Sequence, residues 1–562
     1  MRARIVGALA ALMLVLAGCA GLPTAGSVNP GLALGEAPDV PDFSFLPNRP
    51  QPGATPEQIV EGFVAAATSP AGSWEIARLF LAPDVTWRPD TGVTIDRPGS
   101  RSIAAVDTDT DTDTDTGTVQ MTIAQTGDVD ETGAFHATEA GTATLDYELE
   151  QQDDGEWRIS VAPDGIVLNE QDFRVVFTAY GVMFFDPGWE FLVPDVRWFP
   201  TRQNVTTRIT EAIIGGTPSP WLSGAVVSAV PDGVVLERSA VPVVQGIAQV
   251  ELGAAALDAD PVTLGRLLRQ LQASLQGTGV AGVELLVDGT ELAVEPAQTL
   301  STAVDARPLV QTAESFGYLG EDDLTTLPGL SARISELDAE SIAVGRGSRV
   351  AALLLAAGGV ARVEGNEVST ADDRAGLIDP AIDPDNAIWS VPESQPSALG
   401  VSTVEGENLS VANAWPGATQ IAAMQVSRDG TRIAAVVTDS GRDWVVVAGI
   451  ERNADGEPVA LGTPERLLRL DGVGADIAWL DDRTLGILSE GTDGMIVTEQ
   501  VVGGMSTSSG GPTGSAVSLA AGPTASSARL LTVEGALYVR RGTTWQRAAD
   551  DVLVLASQLG AN

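Results

Sequence analysis

The sequence predicts a multidomain protein: an N-terminal α+β domain, a compact α/β domain, and a C-terminal all-β propeller of five or six blades. Three observations carry that prediction. Apolar side chains at helical spacing after residue 55 give way to strand-like runs that continue to residue 160. Leu264, Leu268, Leu271 and Leu275 mark one long amphipathic helix between shorter strand-like segments. After about residue 316, apolar runs recur around turns roughly 38 to 53 residues apart, near the ~40–45 residues that a four-stranded blade needs.

The chain opens with Arg2 and Arg4, followed by an uncharged apolar run from Ile5 to Leu16. That run is about a dozen residues, too short to cross ~30 Å of hydrocarbon as a helix. It ends in Leu16-Ala17-Gly18-Cys19, and Cys19 is the only cysteine of 562 residues. The order is that of a bacterial secretory signal closed by a lipobox. Small residues at 17 and 18 fit a narrow processing groove, and the thiol is the nucleophile to be acylated. Two acyl chains at ~0.8 kcal/mol per buried CH₂ hold a protein stably at a membrane. The sequence therefore predicts a mature chain that begins at Cys19 and is anchored rather than spanning.

Residues 20 to about 52 are rich in Pro, Gly, Ala and Asn and read as a linker, with a reach on the order of 100 Å when extended. Thr55-Pro56-Glu57-Gln58 is a helix start: an N-cap, a proline at the first helical position and a reciprocal capping partner. Ile59, Val60, Phe63, Val64 and Ala67 then share one face. A second helical stretch carries Ile76, Ala77, Leu79 and Phe80. Strands are expected at 119–124, 141–149 and 157–160. Within this domain, Asp107–Thr116 repeats Asp-Thr and reads as a solvated loop. Asp111, Asp113 and Asp115 imitate the first ligands of a calcium loop. Gly117 falls one place late, however, and Thr122 stands where a bidentate Glu is required, so no EF-hand is expected.

The block from Tyr180 to Pro200 reads as two short strands around Asp186-Pro187-Gly188. A helix from Asn204 is expected to turn Ile209, Ala212 and Ile213 inward and to stop at Gly215. Strands are expected at 225–230, 234–237 and 247–252. Asp260-Pro261 then starts the leucine helix, Gly277 ends it, and Val283–Val287 closes the domain ahead of a turn at Asp288-Gly289. Beyond residue 316, the strand-flanked turns are Gly345–Ser348, Asp385-Asn386, Asp429-Gly430, Asp481-Asp482 and Glu534-Gly535. A ring of such blades buries a core that no single blade could. Residues 503–515, rich in Gly and Ser, read as a loop within it.

Composition narrows the chemistry. Acidic residues outnumber basic ones 75 to 32, so nucleic acid is not an expected partner. There is no lysine, and every cation is arginine. With one cysteine there is no intramolecular disulfide, and the cores must supply the stability. His136 is the only histidine and reads as a strand or turn residue, not as the base of a triad. The sequence holds no Gly-x-Ser-x-Gly elbow, no phosphate loop and no His/Cys cluster for zinc. No catalytic, cofactor-binding or metal residues are expected. A carboxylate pair acting on sugars is the one enzymatic alternative, and no local motif singles out such a pair.

Taken together, the lipobox, the α+β segment, the 180–200 block, the leucine helix and the propeller resemble the actinobacterial lipoprotein LpqB family. The specific matches are Cys19-Ala20-Gly21-Leu22-Pro23-Thr24 with Gly26-Ser27-Val28, and Phe185-Asp186-Pro187 with Leu192 to Pro200. Residues 180–295 are similar to the GerMN domain of sporulation and germination proteins. The resemblance covers essentially the whole chain, with the Asp-Thr repeat standing outside its pattern. It implies a signal peptide at 1–18, a lipidated linker at 19–52, the N-terminal domain at 53–170, a GerMN-like domain at 175–300 and the propeller at 316–562. It also implies that Cys19 becomes an N-palmitoyl, S-diacylglycerol cysteine on the outer face of the cell membrane. The implied role is accessory and non-enzymatic: a partner of the extracytoplasmic part of an MtrB-like sensor histidine kinase in cell-wall and division signalling. A cell-wall glycan- or peptide-binding lipoprotein is the alternative, with the glycosidase behind it.

Overall fold

The computed structural model describes residues 47–109, 116–201, 204–320, 323–492, 494–512 and 514–560. Cys19 and the Asp-Thr repeat carboxylates Asp111, Asp113 and Asp115 lie outside the described residues.

The first helix, α1 (Pro56–Ala67), starts as its sequence dictates. Thr55 accepts from the Gln58 N–H, and the Gln58 side chain accepts from the Thr55 N–H at 3.0 Å. Pro56 costs nothing here because the first N–H has no intrahelical partner. Ile59, Val60, Phe63 and Val64 are at most 3% exposed. They pack on a six-stranded sheet whose long strands, Thr116–Asp130 and Phe135–Gln151, overrun the spans expected from apolar content. Their ends are Thr, Gln, Asp and Glu facing water, so pairing continues past the apolar pattern that marks the core. The Thr116–Asp130 strand alternates buried and exposed positions, and Val119, Met121 and Ile123 are at most 1% exposed. Burying each such side chain stabilises the fold by about 1.5–3 kcal/mol. The second helix, α2 (Glu75–Arg78), is a single turn. The strand Ser102–Asp109 pairs with Thr116–Asp130, so the first residues of the Asp-Thr repeat belong to a strand and not to a loop.

Helix α3 (Glu170–Val176) runs straight into a nine-residue strand, Phe177–Phe185, across the expected domain boundary. That strand pairs along its full length with Leu192–Pro200. The hairpin serves two cores. Phe177, Val196 and Trp198 belong to the N-terminal core, whereas Tyr180, Val182, Phe184, Phe185 and Val193 belong to the next one. Asp186 makes the turn, accepting from the N–H groups of Gly188, Glu190 and Phe191.

Helix α4 (Val205–Ile214) buries Ile209 and Ile213 completely and leaves Ala212 half-buried. Gly215 caps it in right-handed conformation, and the reversal falls on Gly216 at φ +64°. The segments 225–230 and 234–237 are not strands. They make only the isolated bridges Phe185–Val227 and Leu236–Leu252, and their apolar side chains fill the core from loops. Helix α5 (Pro261–Ser274) has Asp260 as its N-cap, accepting from Val262 and Thr263. It crosses between Ile247–Glu251 and Gly282–Val287, which are parallel, so the pair needs a long connection. Leu267 and Leu271 are 0% exposed beneath it.

The propeller has six blades, at the upper end of the expected range. It also begins earlier than residue 316, with strand Leu309–Thr312 in blade one. That strand pairs on one side with Phe316–Leu319 and on the other with Val552–Leu555, which closes the ring. Four of the turn signals fall between the first and second strands of blades two to five, whereas Glu534-Gly535 joins the second and third strands of blade six. Asp429-Gly430 is one case, with Gly430 at φ +74°, a conformation that favours glycine. Gly503 makes a turn as expected, but Ser506–Gly510 is the outer strand of blade five and not a loop: its Ser, Thr and Gly residues carry no apolar pattern to mark a strand, while its backbone pairs with Gly494–Val501.

Arginines fasten neighbouring blades. Arg428 Nη2 donates to the Trp479, Leu480 and Gly522 carbonyls at 2.9–3.1 Å. Arg362 Nη2 donates to Ser402 and Thr403, and Arg529 Nη2 to Asp305 and Ala306. A guanidinium fork can satisfy several carbonyls at once and stays charged when buried. Burial pulls Arg529 down to about 10, still well above neutrality.

Candidate functional site

The motif Val193-Pro194-Asp195-Val196-Arg197-Trp198 joins the domains. Asp195 is 2% exposed and accepts from the Ser219 N–H at 2.7 Å, the Ser219 hydroxyl at 2.8 Å and Arg197 Nη2 at 2.7 Å. Arg197 Nη1 reaches back to the Thr132 hydroxyl of the N-terminal domain. Next in line, Trp198 donates its backbone N–H to the Gly133 carbonyl at 2.7 Å and its indole Nε1–H to Gly503 of blade five at 2.8 Å. Its ring centroid lies 4.8 Å from that of Phe173. Asp195, Arg197 and Trp198 thus address three different parts of the molecule, and the conformation of all three is set by one strand.

Docking along this seam leaves a groove of about 560 Å³ between the N-terminal domain and blades four and five. Arg97, Arg174, Arg466 and Arg469 line it against a single acid, Glu170. Arg97 follows the first strand of the N-terminal sheet, and Arg174 projects from α3 and touches the Ser506 carbonyl at 3.3 Å. Arg466 and Arg469 come from Glu465–Arg469, an outer strand of blade four that pairs only with Arg442–Arg452. Arg466 is held by Asp439 and lies 4.7 Å over the ring of Trp444. Phe135, Leu467, Leu468 and Met505 place apolar surface between the arginines.

A second groove, about 690 Å³, lies between the 186–191 turn and the propeller face that carries the turns of blades three and four. Its lining is acidic: Asp186, Glu190, Asp385, Glu405, Asp429, Asp455 and Glu457, with Arg452 as the one cation. Burial pushes the Asp186 carboxyl up, against the three N–H groups that hold it down, and Asp429 adds to the rise. Arg452 is already engaged by Asp383 at 3.2 Å and by Asp385 at 3.6 Å.

His136 stands at the wall of a smaller cavity beside the arginine groove, with Nε2 3.4 Å from Asp130 Oδ2. Among the described residues, no group of three or more His, Cys, Asp or Glu side chains is arranged to hold a metal ion. None of their helices is long and apolar enough to cross a membrane. The arginine groove has no counterpart among the motifs read from sequence. Its four cations come from distant segments, and the only local hint is the spacing Arg466-Leu467-Leu468-Arg469.

Comparison with known proteins divides the chain in the same way. The family model for the N-terminal domain of lipoprotein LpqB matches residues 49–174, and that for the LpqB beta-propeller domain matches residues 308–554. A model described as sporulation and spore germination, the Germane domain, matches residues 182–293. The chain is 27% identical over 561 residues to Lipoprotein LpqB of Nocardia farcinica, covering 88% of this chain and 89% of that one. Against Lipoprotein LpqB of Mycobacterium tuberculosis it is 27% identical over 516 residues, covering 84% and 83%. A match to Lipoprotein LpqB of Cutibacterium acnes, 28% identical over 304 residues, covers 52% of this chain and 49% of that relative. These relatives are named as lipoproteins and not as enzymes.

Proposed function

We propose, for a chain that belongs to the LpqB lipoprotein family, that it acts without catalysis as a membrane-tethered accessory of an MtrB-like sensor histidine kinase. Cys19 carries the lipid, and the protein stands on the extracytoplasmic face. The observation that carries this reading is the domain set itself. The LpqB N-terminal, Germane and propeller domains follow in order and pack into one compact unit across residues 45–562. Such a body presents fixed surfaces to a partner. Tethering raises its effective concentration for a membrane protein. It shifts the kinase only by binding one signalling state more tightly, with about 1–3 kcal/mol of differential affinity being typical of such coupling.

Co-elution of the purified chain with the kinase sensor domain, together with altered regulator phosphorylation when the protein is lost, is the expected result. Absence of binding alongside retention on insoluble peptidoglycan would replace this reading with a wall-binding one. Cys19→Ala should fold normally and fail to support signalling from the soluble fraction. Full complementation by that variant would remove the tether from the mechanism.

A further inference from the structure

The groove between the N-terminal domain and blades four and five holds four arginines against one acid, in a chain of net charge −43. All four side chains are on exposed residues. Arg97 and Arg174 have no carboxylate partner among the described residues. Arg466 and Arg469 are paired with Asp439 and Asp471, so Arg97 and Arg174 supply the uncompensated positive charge that favours an anionic occupant. Arg466 is preorganised for that role. Asp439 holds its head, the Trp444 ring supports its plane, and a planar fork held in this way loses little freedom on binding a carboxylate.

We propose that this groove binds an acidic peptide segment in extended form, its carboxylates alternating with apolar side chains. Charge complementarity selects the anion. The choice of a peptide rests on the strands. Glu465–Arg469 lines the groove from Arg466 to Arg469 and pairs on one side only; Ser506–Gly510, also an outer strand, reaches the groove at Ser506. An unpaired edge offers N–H and C=O groups to an extended chain. Leu467, Leu468, Phe135 and Met505 interleave with the arginines and suit the apolar half of an alternating sequence. An anionic glycan fits less well, because Trp444 is 7% exposed and lies under Arg466, so that of the two aromatic rings in the lining only the half-buried Phe135 is open to a sugar. The proposal stands apart from the kinase assignment, since it concerns one groove and one ligand chemistry.

The test uses the full chain in detergent and a fluorescein-labelled octapeptide of alternating Glu and Val, read by fluorescence anisotropy at low and at moderate salt. The rest of the surface is acidic and repels such a probe, so binding reports the groove. Saturable binding that weakens with salt is expected, with none for the Lys-Val peptide. The double variant Arg97→Gln with Arg174→Gln should bind about tenfold more weakly or worse. Its thermal unfolding should stay close to the parent's, because neither side chain forms an ion pair among the described residues and the Arg174 bond to the Ser506 carbonyl is exposed. Arg469→Glu, whose one acidic contact is the exposed Asp471 at 3.9 Å, should weaken binding in the same way. No binding of the Glu-Val probe, binding indifferent to these variants, or a preference for oligogalacturonate over the peptide would each overturn the proposal.

Discussion

The two grooves are built from the same kind of seam and carry opposite charge. One lies where the N-terminal domain meets the rim of blades four and five, and arginine dominates it. The other lies where the 186–191 turn meets the propeller face, and it has one arginine among its acids. In a chain with 75 acidic and 32 basic residues, the acidic groove is what composition alone would produce. The basic groove is the exception. Composition sets an expected sign for any surface, and the informative region is the one that departs from it. The same contrast governs how cations are used. Arg362, Arg428 and Arg529 are consumed in clamping carbonyls between blades, whereas Arg97 and Arg174 at the rim form no ion pair among the described residues, and Arg174 reaches a single carbonyl, that of Ser506.

The comparison can be broken most severely at the strand that creates the basic groove. Arg197→Met leaves Asp195 buried without its cation and cuts the bond to Thr132. Breaking a buried pair costs about 3–5 kcal/mol, and thermal unfolding should show a loss of that size, with earlier proteolysis between the N-terminal domain and the propeller. An unchanged melting temperature would mean that the seam does not depend on this pair. Trp198→Phe is gentler. It keeps most of the apolar contact and removes the indole donor to Gly503, which should cost about 0.5–1.5 kcal/mol. Hydrogen exchange should then quicken at 500–506 and not around 186–191.

A contact that lines neither groove serves as the control. Thr302 donates to Asp482 Oδ2 at 2.8 Å, and that bond resists the rise that burial imposes on the Asp482 carboxyl. Thr302→Val should cost about 1 kcal/mol and leave the arginine groove's affinity for the Glu-Val probe unchanged. The last probe concerns pH. Burial, with Asp379 second, pushes the Asp476 carboxyl from 3.8 up to about 7. The folded protein therefore keeps a proton that the unfolded chain releases. The resulting stabilisation is full below about pH 4, declines as pH rises and is gone above about pH 7. Asp476→Asn should flatten this slope, gaining on the parent in melting temperature between pH 5 and pH 8. A constant difference across that range would show that Asp476 titrates normally.

Local chemistry was readable wherever it is local in fact. Thr55 and Gln58, the leucine face of α5, and the Asp429-Gly430 turn each act within a few residues, and each is found as expected. Segments 225–230 and 234–237 misled because Val226 and Val234 are buried by neighbouring elements without strand pairing of their own. The repeat signal gave five turns, but blade one is assembled from strands at both ends of the propeller segment, so its fourth strand has no adjacent turn to announce it. The arginine groove was illegible for a similar reason. Arg97, Arg174 and Arg466 meet only after the domains dock, and the residue that docks them, Trp198, was visible in sequence only as part of a motif.

The pairing of Leu309–Thr312 with Val552–Leu555 has a consequence for how the molecule is made. Synthesis delivers the first of these strands long before the second. Until residues 552–555 exist, blade one lacks its inner strand, and blades two and six each pack on one complete neighbour instead of two. The arginine groove, by contrast, needs only blades four and five and the N-terminal domain. Its walls can form while the ring is still open, so the surface that would meet a partner is ready before the propeller is finished.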